Sequence, residues 1–100
     1  MAKPIKLFDR KHPPKSVTLL GYKIQIKVVA YLEDEGEDLL GAWNHDNKTI
    51  FLLRGCDWKS VLLHELMHAG ISLTGACAGI SMTSEERIVL ALEHAIAPLL

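Results

Sequence analysis

Residues 61–70 read VLLHELMHAG and place two histidines and a glutamate inside the most apolar segment of a 100-residue chain. His64 and His68 are four positions apart, so on a helix both would project from one face. Two neutral imidazoles at that spacing can bind one Zn²⁺. Glu65 follows the first histidine, where its carboxylate can take a proton from a zinc-activated water. The HExxH pattern therefore predicts a zinc site with Glu65 as general base.

The alternative reading of this segment is a core helix that carries two hydrogen-bonded histidines and a partly exposed glutamate. Its apolar neighbours favour burial, and a buried carboxylate without partners is costly. A bound zinc ion would supply the missing partners for all three polar groups at once. The metal site is therefore the favoured interpretation.

A third protein ligand is expected, because catalytic zinc sites usually combine three protein ligands with one open position. Residues 74–84 read TGACAGISMTS, and the two glycines and the small polar residues predict a loop. That loop would turn the chain back and pack a second helix against the first. The candidate ligands after the loop are Glu85, Glu86, Glu93 and His94.

Helical periodicity favours one of these candidates. An apolar stripe of Val89, Leu92 and Ile96 would face the first helix and would place Glu86 on the inward side. Glu86 is the preferred third ligand, while Glu85, Glu93 and His94 stay open as alternatives. His94 could instead support a metal ligand or stabilise an oxyanion.

The remaining residues of chemical interest favour ordinary structural roles. His12 lies in a Pro-rich segment and His45 in a turn, so both are expected at the surface. Cys77 is expected to be an ordinary thiol, although a thiolate could reach a metal. Trp43 and Trp58 are expected to pack in the core or at a helix end.

The elements that must position the site follow from local patterns. Residues 1–16 contain HPPK and predict an irregular arm. Tyr22, Ile24, Ile26 and Val28 alternate with polar residues and predict a strand with one buried face. The acidic segment 33–38 predicts a loop.

The second half of the chain predicts a hairpin and two helices. The runs 39–43 and 49–53 flank the turn-forming NHDNK and indicate a β-hairpin. Asp57 is a suitable N-cap for a first helix over 58–73. Thr83 or Ser84 would begin the second helix, which ends at Pro98.

Together these elements predict one α+β domain over 1–100, with a short, mostly antiparallel sheet packed on two helices. The hydrophobic fraction is 49% and the net charge is −1, so neither nucleic acid nor an anionic membrane is expected as a partner. No secretory signal is visible, and no apolar run reaches membrane-spanning length. Cys56 and Cys77 lack CxxC spacing, which favours a reducing cytoplasm.

The chain resembles the zincin metallopeptidases, specifically a very small class found in bacteriophage and prophage genomes. The resemblance covers roughly residues 22–100 and rests on LLGAWNHDNKTIFL, LLHELMHA and EERIVLALEHAIAPLL. It is similar to the ImmA/IrrE-like peptidases and more distantly to the SprT-like ones. In those families a short sheet packs on two helices and the first helix carries HExxH.

The resemblance implies a minimal zincin-like domain and a role for each site residue. His64, His68 and Glu86 would bind Zn²⁺, and Glu65 would be the general base. The strand 49–53 would line the cleft and bind a peptide or protein substrate as an added strand. The implied activity is that of a zinc metalloendopeptidase, in the host cytoplasm if the chain is phage-encoded. The alternatives are a non-catalytic zincin-like zinc-binding or peptide-binding module and a metal-free interaction domain.

Overall fold

Strands precede two helices in the computed structural model, which describes residues 10–75 and 79–96. This order confirms the α+β class and the short, mostly antiparallel sheet with two helices. The strands are β1 (Ser16–Leu19), β2 (Tyr22–Val29), β3 (Glu33–Asp34), β4 (Glu37–Asp38), β5 (Gly41–Asn44) and β6 (Thr49–Leu53), and the helices are α1 (Trp58–Thr74) and α2 (Met82–Ile96).

The main sheet has the strand order β1-β2-β6-β5. Strand β2 pairs antiparallel with β1 and parallel with β6, and β6 pairs antiparallel with β5. Strands β1 and β5 therefore form the two edges of this sheet. A separate ribbon consists of β3 and β4.

The core lies between the centre of the sheet and one face of α1. The alternation predicted for β2 is confirmed at Ile24 and Ile26, which are buried, but it is wrong at the strand ends, where Tyr22 is 47% and Val28 46% exposed. Burial therefore concentrates where β2 and β6 lie side by side. The buried core cluster consists of Ile24, Ile26, Ile50, Leu52, Leu62 and Ala69.

Strand β1 was not predicted from the sequence. Ser16 already belongs to β1, so the irregular arm ends one residue earlier than expected, and residues 1–9 of it lie outside the described part. Leu20 and Gly21 connect β1 to β2 with φ of 53° and 82°. Positive φ at both central residues is the backbone of a type I′ hairpin, which a glycine at the second position permits.

The loop predicted over 33–38 is also wrong in part. Strands β3 and β4 pair there through Glu33–Asp38 and Asp34–Glu37. The turn residues Glu35 and Gly36 have φ of 50° and 83°. The acidic composition predicted a loop, but the segment forms a two-residue turn whose flanking residues pair through their backbone groups.

The hairpin predicted before the first helix is confirmed, with β5 at 41–44 and β6 at 49–53. Asn44 closes its turn, because the Asn47 backbone N–H donates to the Asn44 Oδ1 at 3.0 Å. The Lys48 N–H also donates to the His45 carbonyl at 3.4 Å, so the polar NHDNK segment pairs some of its own backbone groups.

Helix α1 begins and ends where the sequence predicts, within one residue. Asp57 occupies the N-cap position, but its side chain makes no capping hydrogen bond, and Gly75 ends the helix with φ of 70°. Helix α2 begins at Met82, slightly earlier than predicted, because the Ser81 Oγ accepts a hydrogen bond from the Ser84 N–H at 3.2 Å. Pro98, the predicted end, lies outside the described residues.

Neither helix in the described part of the chain is long and apolar enough to cross a membrane. Cys56 is a free, half-buried cysteine. Burial and the neighbouring Asp57 charge raise its pKa. Cys77 lies outside the described residues, so its expected role as an ordinary thiol stays a prediction.

Candidate metal centre

The three HExxH residues of helix α1 face two different elements, the sheet and α2. Glu65 shares a face with the buried Leu62 and Ala69, because these residues are three and four positions from it. That face packs on the sheet and leaves Glu65 only 8% exposed. His64, one position before Glu65, and His68, three positions after it, lie on the adjacent side of the helix and face α2.

The Glu86 carboxylate lies between the two imidazoles. Its Oε1 is 2.7 Å from the His64 Nε2, and its Oε2 is 2.9 Å from the His68 Nε2. One ligand atom from each of the three residues falls within 4.8 Å of the other two. We call these three residues the His–Glu cluster.

The donor set of the His–Glu cluster fits a transition metal. Two imidazole nitrogens and one carboxylate oxygen are the three protein ligands of one type of catalytic zinc site, in which a fourth position stays open. The histidines are half-buried and Glu86 is more exposed, so solvent can enter from the α2 side. An ion could therefore bind without unfolding the helices.

Two further carboxylates of α2 face the other nitrogens of the histidines. The His64 Nδ1 lies 2.9 Å from the Glu93 Oε2, while the His68 Nδ1 lies 3.5 Å from the Glu85 Oε2. The Ser60 hydroxyl donates to the second oxygen of Glu93 at 3.2 Å. Among the four candidate ligands, Glu86 is thus on the Nε2 side, Glu93 and Glu85 are on the Nδ1 side, and His94 is exposed.

The inward face of α2 differs from the predicted apolar stripe. Val89 is buried and Ile96 half-buried as expected, but Leu92 is 44% exposed. Glu93 takes the inward position, because it follows Glu86 and Val89 at the helical spacings of seven and four. The face that meets α1 is therefore carboxylate-rich.

Burial and the clustered charges change the proton affinity of two groups. Burial raises the pKa of Glu65; His68 and His64 oppose this, and Glu86 and Glu93 add to it. Burial alone would lower the pKa of His64, but the hydrogen bond with Glu93 and the charges of Glu86 and Glu65 outweigh it, so the pKa is raised. In the metal-free protein, both groups therefore hold protons more strongly than in solution.

Strand β5 approaches α1 closely at Gly41. A Cβ at Gly41 would lie 2.5 Å from the Val61 Cγ1 and 3.1 Å from the Glu65 Cγ. Because only glycine lacks this atom, Gly41 permits the edge strand to lie directly against the side chain of Glu65.

Two cavities open on either side of this contact, and Leu39, Gly41 and Glu65 line both of them. We call the two cavities together the cleft. The larger, of about 620 Å³, extends past His68, and the smaller, of about 420 Å³, extends past His64. The larger is also lined by Asp34, Ala42, Trp43, His45, Ile71, Ser72, Gly75, Met82, Glu85 and Glu86, and the smaller by Asp38, Leu40, Ser60, Val61, Leu90 and Glu93.

The position expected for an added peptide strand is wrong at 49–53. Strand β6 already pairs with β2 on one side and with β5 on the other, so its backbone groups are used. The free edge beside the cleft belongs to β5. A peptide could pair there without displacing a strand.

Several wall residues of the cleft were not identified from the sequence. Gly41 lies in a predicted hairpin strand. A glycine within an apolar run was the one sequence feature that indicated a close approach of another element to this strand. His45 is exposed, as expected, but it also bonds to the Ser72 hydroxyl and lines the larger cavity. Trp43 packs against the core, and its buried Nε1 has no hydrogen-bond partner within the described residues.

The other aromatic and histidine predictions agree with the structure. Trp58 packs against the core, and its Nε1–H donates to the Lys11 carbonyl at 3.3 Å. His12 is exposed. These residues lie outside the two cavities.

Comparison with known proteins finds no match to this chain among protein-family models, curated proteins or solved structures. The resemblance to zincin peptidases therefore stays a hypothesis that rests on the motif and on the geometry described above.

Proposed function

We propose that this protein is a zinc-dependent metallopeptidase that hydrolyses internal peptide bonds, a zinc metalloendopeptidase. One observation supports this function above the others. The two Nε2 atoms and the Glu86 carboxylate converge at the wall of a cleft in which the buried Glu65 side chain is the adjacent acid.

His64, His68 and Glu86 would hold the metal, and Zn²⁺ is the ion that we propose for this donor set. Bound there, zinc would lower the pKa of a water to about 7 and polarise a substrate carbonyl. The histidines must be neutral to bind it, so the proton that the raised pKa of His64 retains in the metal-free protein would leave.

Glu65 would act as the general base. Its carboxylate accepts no hydrogen bond from another side chain in the described ranges, and it lines both cavities of the cleft. It would take the proton of the attacking water and deliver it to the leaving amine. The contact with Gly41 would hold this side chain in place.

The free edge of β5 would bind the substrate backbone as an added strand, which would supply affinity without strong sequence preference. Cavities on both sides of Glu65 allow the peptide to extend in both directions from the scissile bond. This geometry favours cleavage within a chain over removal of a terminal residue. The two thiols without CxxC spacing favour the cytoplasm as the compartment.

A second candidate is a non-catalytic module that binds zinc and captures a peptide along β5. The free β5 edge would serve this function equally well. Glu65 distinguishes the two, since a binding module needs no base beside the ligands.

The test is cleavage of a mixture of unstructured peptides by the zinc-loaded protein, followed by mass spectrometry. The proposal expects internal cleavage that a chelator stops and that zinc restores. Glu65→Gln should abolish it, and Glu37→Gln, which removes the same charge from the exposed β4, should not. Equal cleavage by Glu65→Gln would overturn the mechanism, and zinc binding without cleavage by the wild type would favour the binding module.

A further inference from the structure

We propose that Glu93, held by Ser60, is a positioning residue that orients His64 for metal binding. The inference rests on the proposed metal site and adds a role for two residues outside the His–Glu cluster.

The Glu93 carboxylate is engaged at both of its oxygens. Its Oε2 lies 2.9 Å from the His64 Nδ1, and its Oε1 accepts the Ser60 hydroxyl at 3.2 Å. The Glu93 side chain is only 18% exposed. Two fixed contacts on a largely buried carboxylate restrict its rotation, so it presents one defined oxygen to the imidazole.

This contact selects the tautomer of His64. When the Nδ1–H donates to Glu93, the lone pair of the neutral ring is left on Nε2, which is the nitrogen that faces Glu86. A carboxylate on the far nitrogen also fixes the ring orientation and raises the basicity of the ligand. Glu93 would therefore strengthen metal binding without touching the metal.

Ser60 and His64 belong to the same helix, one turn apart. Both contact Glu93, which belongs to α2. The Ser60–Glu93–His64 contacts therefore link the two helices beside the His–Glu cluster. The position of Glu93 is thus set from α1 at two points, one of which is the ligand itself.

The second histidine is held less firmly. Glu85 lies 3.5 Å from the His68 Nδ1, beyond the usual range for a hydrogen bond between nitrogen and oxygen. The structure therefore predicts an asymmetry, in which loss of Glu93 costs more metal affinity than loss of Glu85. If the α2 carboxylates acted only through their negative charge, removal of Glu93 and removal of Glu85 would reduce metal affinity to a similar extent.

The test measures zinc affinity by competition with a chromophoric chelator for the wild type and a set of single variants. Glu93→Met keeps the side-chain length but removes the acceptor, and we expect affinity about 10–100-fold weaker. Glu93→Gln keeps an acceptor and should restore part of this loss. Ser60→Ala should weaken binding by a few-fold, Glu85→Met less than Glu93→Met, and Glu37→Gln not at all.

A spectroscopic readout separates positioning from loss of folding. In the zinc-loaded wild type, nitrogen-15 NMR of the imidazoles should show a protected Nδ1–H on His64. This Nδ1–H should stay protected in Glu93→Gln and exchange rapidly with solvent in Glu93→Met. If Glu93→Met does not fold, the exposed substitution Ser60→Ala still allows the positioning role to be tested.

Wild-type affinity in Glu93→Met, or an equal or larger loss in Glu85→Met, would overturn the positioning role and leave the proposed function standing. Absence of zinc binding in the wild type would overturn the proposed function itself.

Discussion

Glu65 is an ionisable residue on the buried side of α1. It lies on the buried face with Leu62 and Ala69, yet its neighbour His64 faces α2. One residue corresponds to about 100° of rotation, so a single helix can offer a base to the sheet side and ligands to the helix side. Packing against Gly41 then limits the movement of the Glu65 side chain, the proposed base.

We expect Glu65→Gln to bind zinc as the wild type does and to lose peptidase activity by about 100-fold to 10,000-fold, the usual contribution of a general base. Glutamine also removes a buried charge, so the free energy of unfolding of the metal-free protein should not fall at neutral pH. Peptide cleavage rates and urea unfolding measure the two effects. A strong loss of zinc affinity would contradict the separation of base and ligands.

The pH dependence of stability should change sign with metal. The folded metal-free chain binds protons more tightly than the unfolded chain, since the pKa of Glu65 is raised from 4.5 and that of His64 from 6.5. The contribution of Glu65 and His64 to stability without metal should therefore be fully present below these values and be lost as the pH rises through the folded pKa values. With zinc, stability should rise instead, because the ligands must lose protons.

Thermal unfolding from about pH 5 to about pH 8, with chelator and with zinc, measures both slopes across the range in which histidine titrates. Glu65→Gln should keep only the His64 part of the metal-free slope. A metal-free stability that increases over this range would contradict the assigned directions.

Sequence spacing alone identifies His64, Glu65 and His68, because helical rotation relates positions within one element. It favours Glu86 as the third ligand but leaves Glu93 open as an alternative, because the choice between them depends on the rotation of α2 against α1. Leu92 is an example: its hydrophobicity predicted an inward position, but it is exposed and the neighbouring Glu93 faces α1 instead.

Helix α2 is the element most dependent on the site. Val89 is its one fully buried residue within Met82–Ile96, whereas three of its carboxylates contact the two histidines. Its attachment to α1 therefore relies on polar contacts more than on apolar burial.

We expect zinc removal to loosen α2 selectively. Amide hydrogen exchange should accelerate in α2 on addition of a chelator, while β2 and β6 stay protected, because local opening follows local stability. Glu86→Gln should show fast α2 exchange even with zinc present. Identical α2 protection with and without zinc would show that the metal does not hold this helix.

Strand β5 depends on Gly41. We expect Gly41→Ala to cost about 1–3 kcal/mol of unfolding free energy, since the new methyl group overlaps Val61 and crowds Glu65. Peptidase activity should fall more than zinc affinity, because the strand and the base move while the ligands stay.

Gly70→Ala is the matched control, as a Cβ there meets nothing within 4 Å, and Gly70 lies inside α1. It should be neutral or stabilise the helix by up to about 1 kcal/mol. Equal effects of the two substitutions in urea unfolding would contradict the role of Gly41.

Elements with strong local signals were predictable, and those defined by pairing were not. The β5–β6 hairpin and α1 follow from turn residues and an apolar run. The parallel pairing of β2 with β6 joins distant segments, so the sequence could not show that β6 is internal and that β5 is the free edge. Strand β1 was missed because four residues carry little periodic signal.

At the scale of the whole molecule, the site lies where β5, α1 and α2 meet. Within residues 10–75 and 79–96, the buried apolar cluster joins the sheet to α1, and the His–Glu cluster connects α2 to them. A chain of 100 residues buries a small core, so a bound ion would make a large relative contribution to stability.

We expect zinc at 100 times its dissociation constant to add about 2.7 kcal/mol to the unfolding free energy. The melting temperature should rise by several degrees for each kcal/mol in a domain of this size. Calorimetry of the wild type and of His68→Ala, with and without zinc, measures this rise in melting temperature. An equal rise in His68→Ala would show that the ion binds elsewhere.

The proposed metal centre can be tested by measuring the zinc content of the purified protein by elemental analysis after dialysis against trace zinc. We expect one ion per chain in the wild type and in Glu65→Gln, and a loss of the ion in His64→Ala and His68→Ala. A wild-type protein that retains no zinc, or histidine variants that retain it fully, would contradict the proposed metal centre.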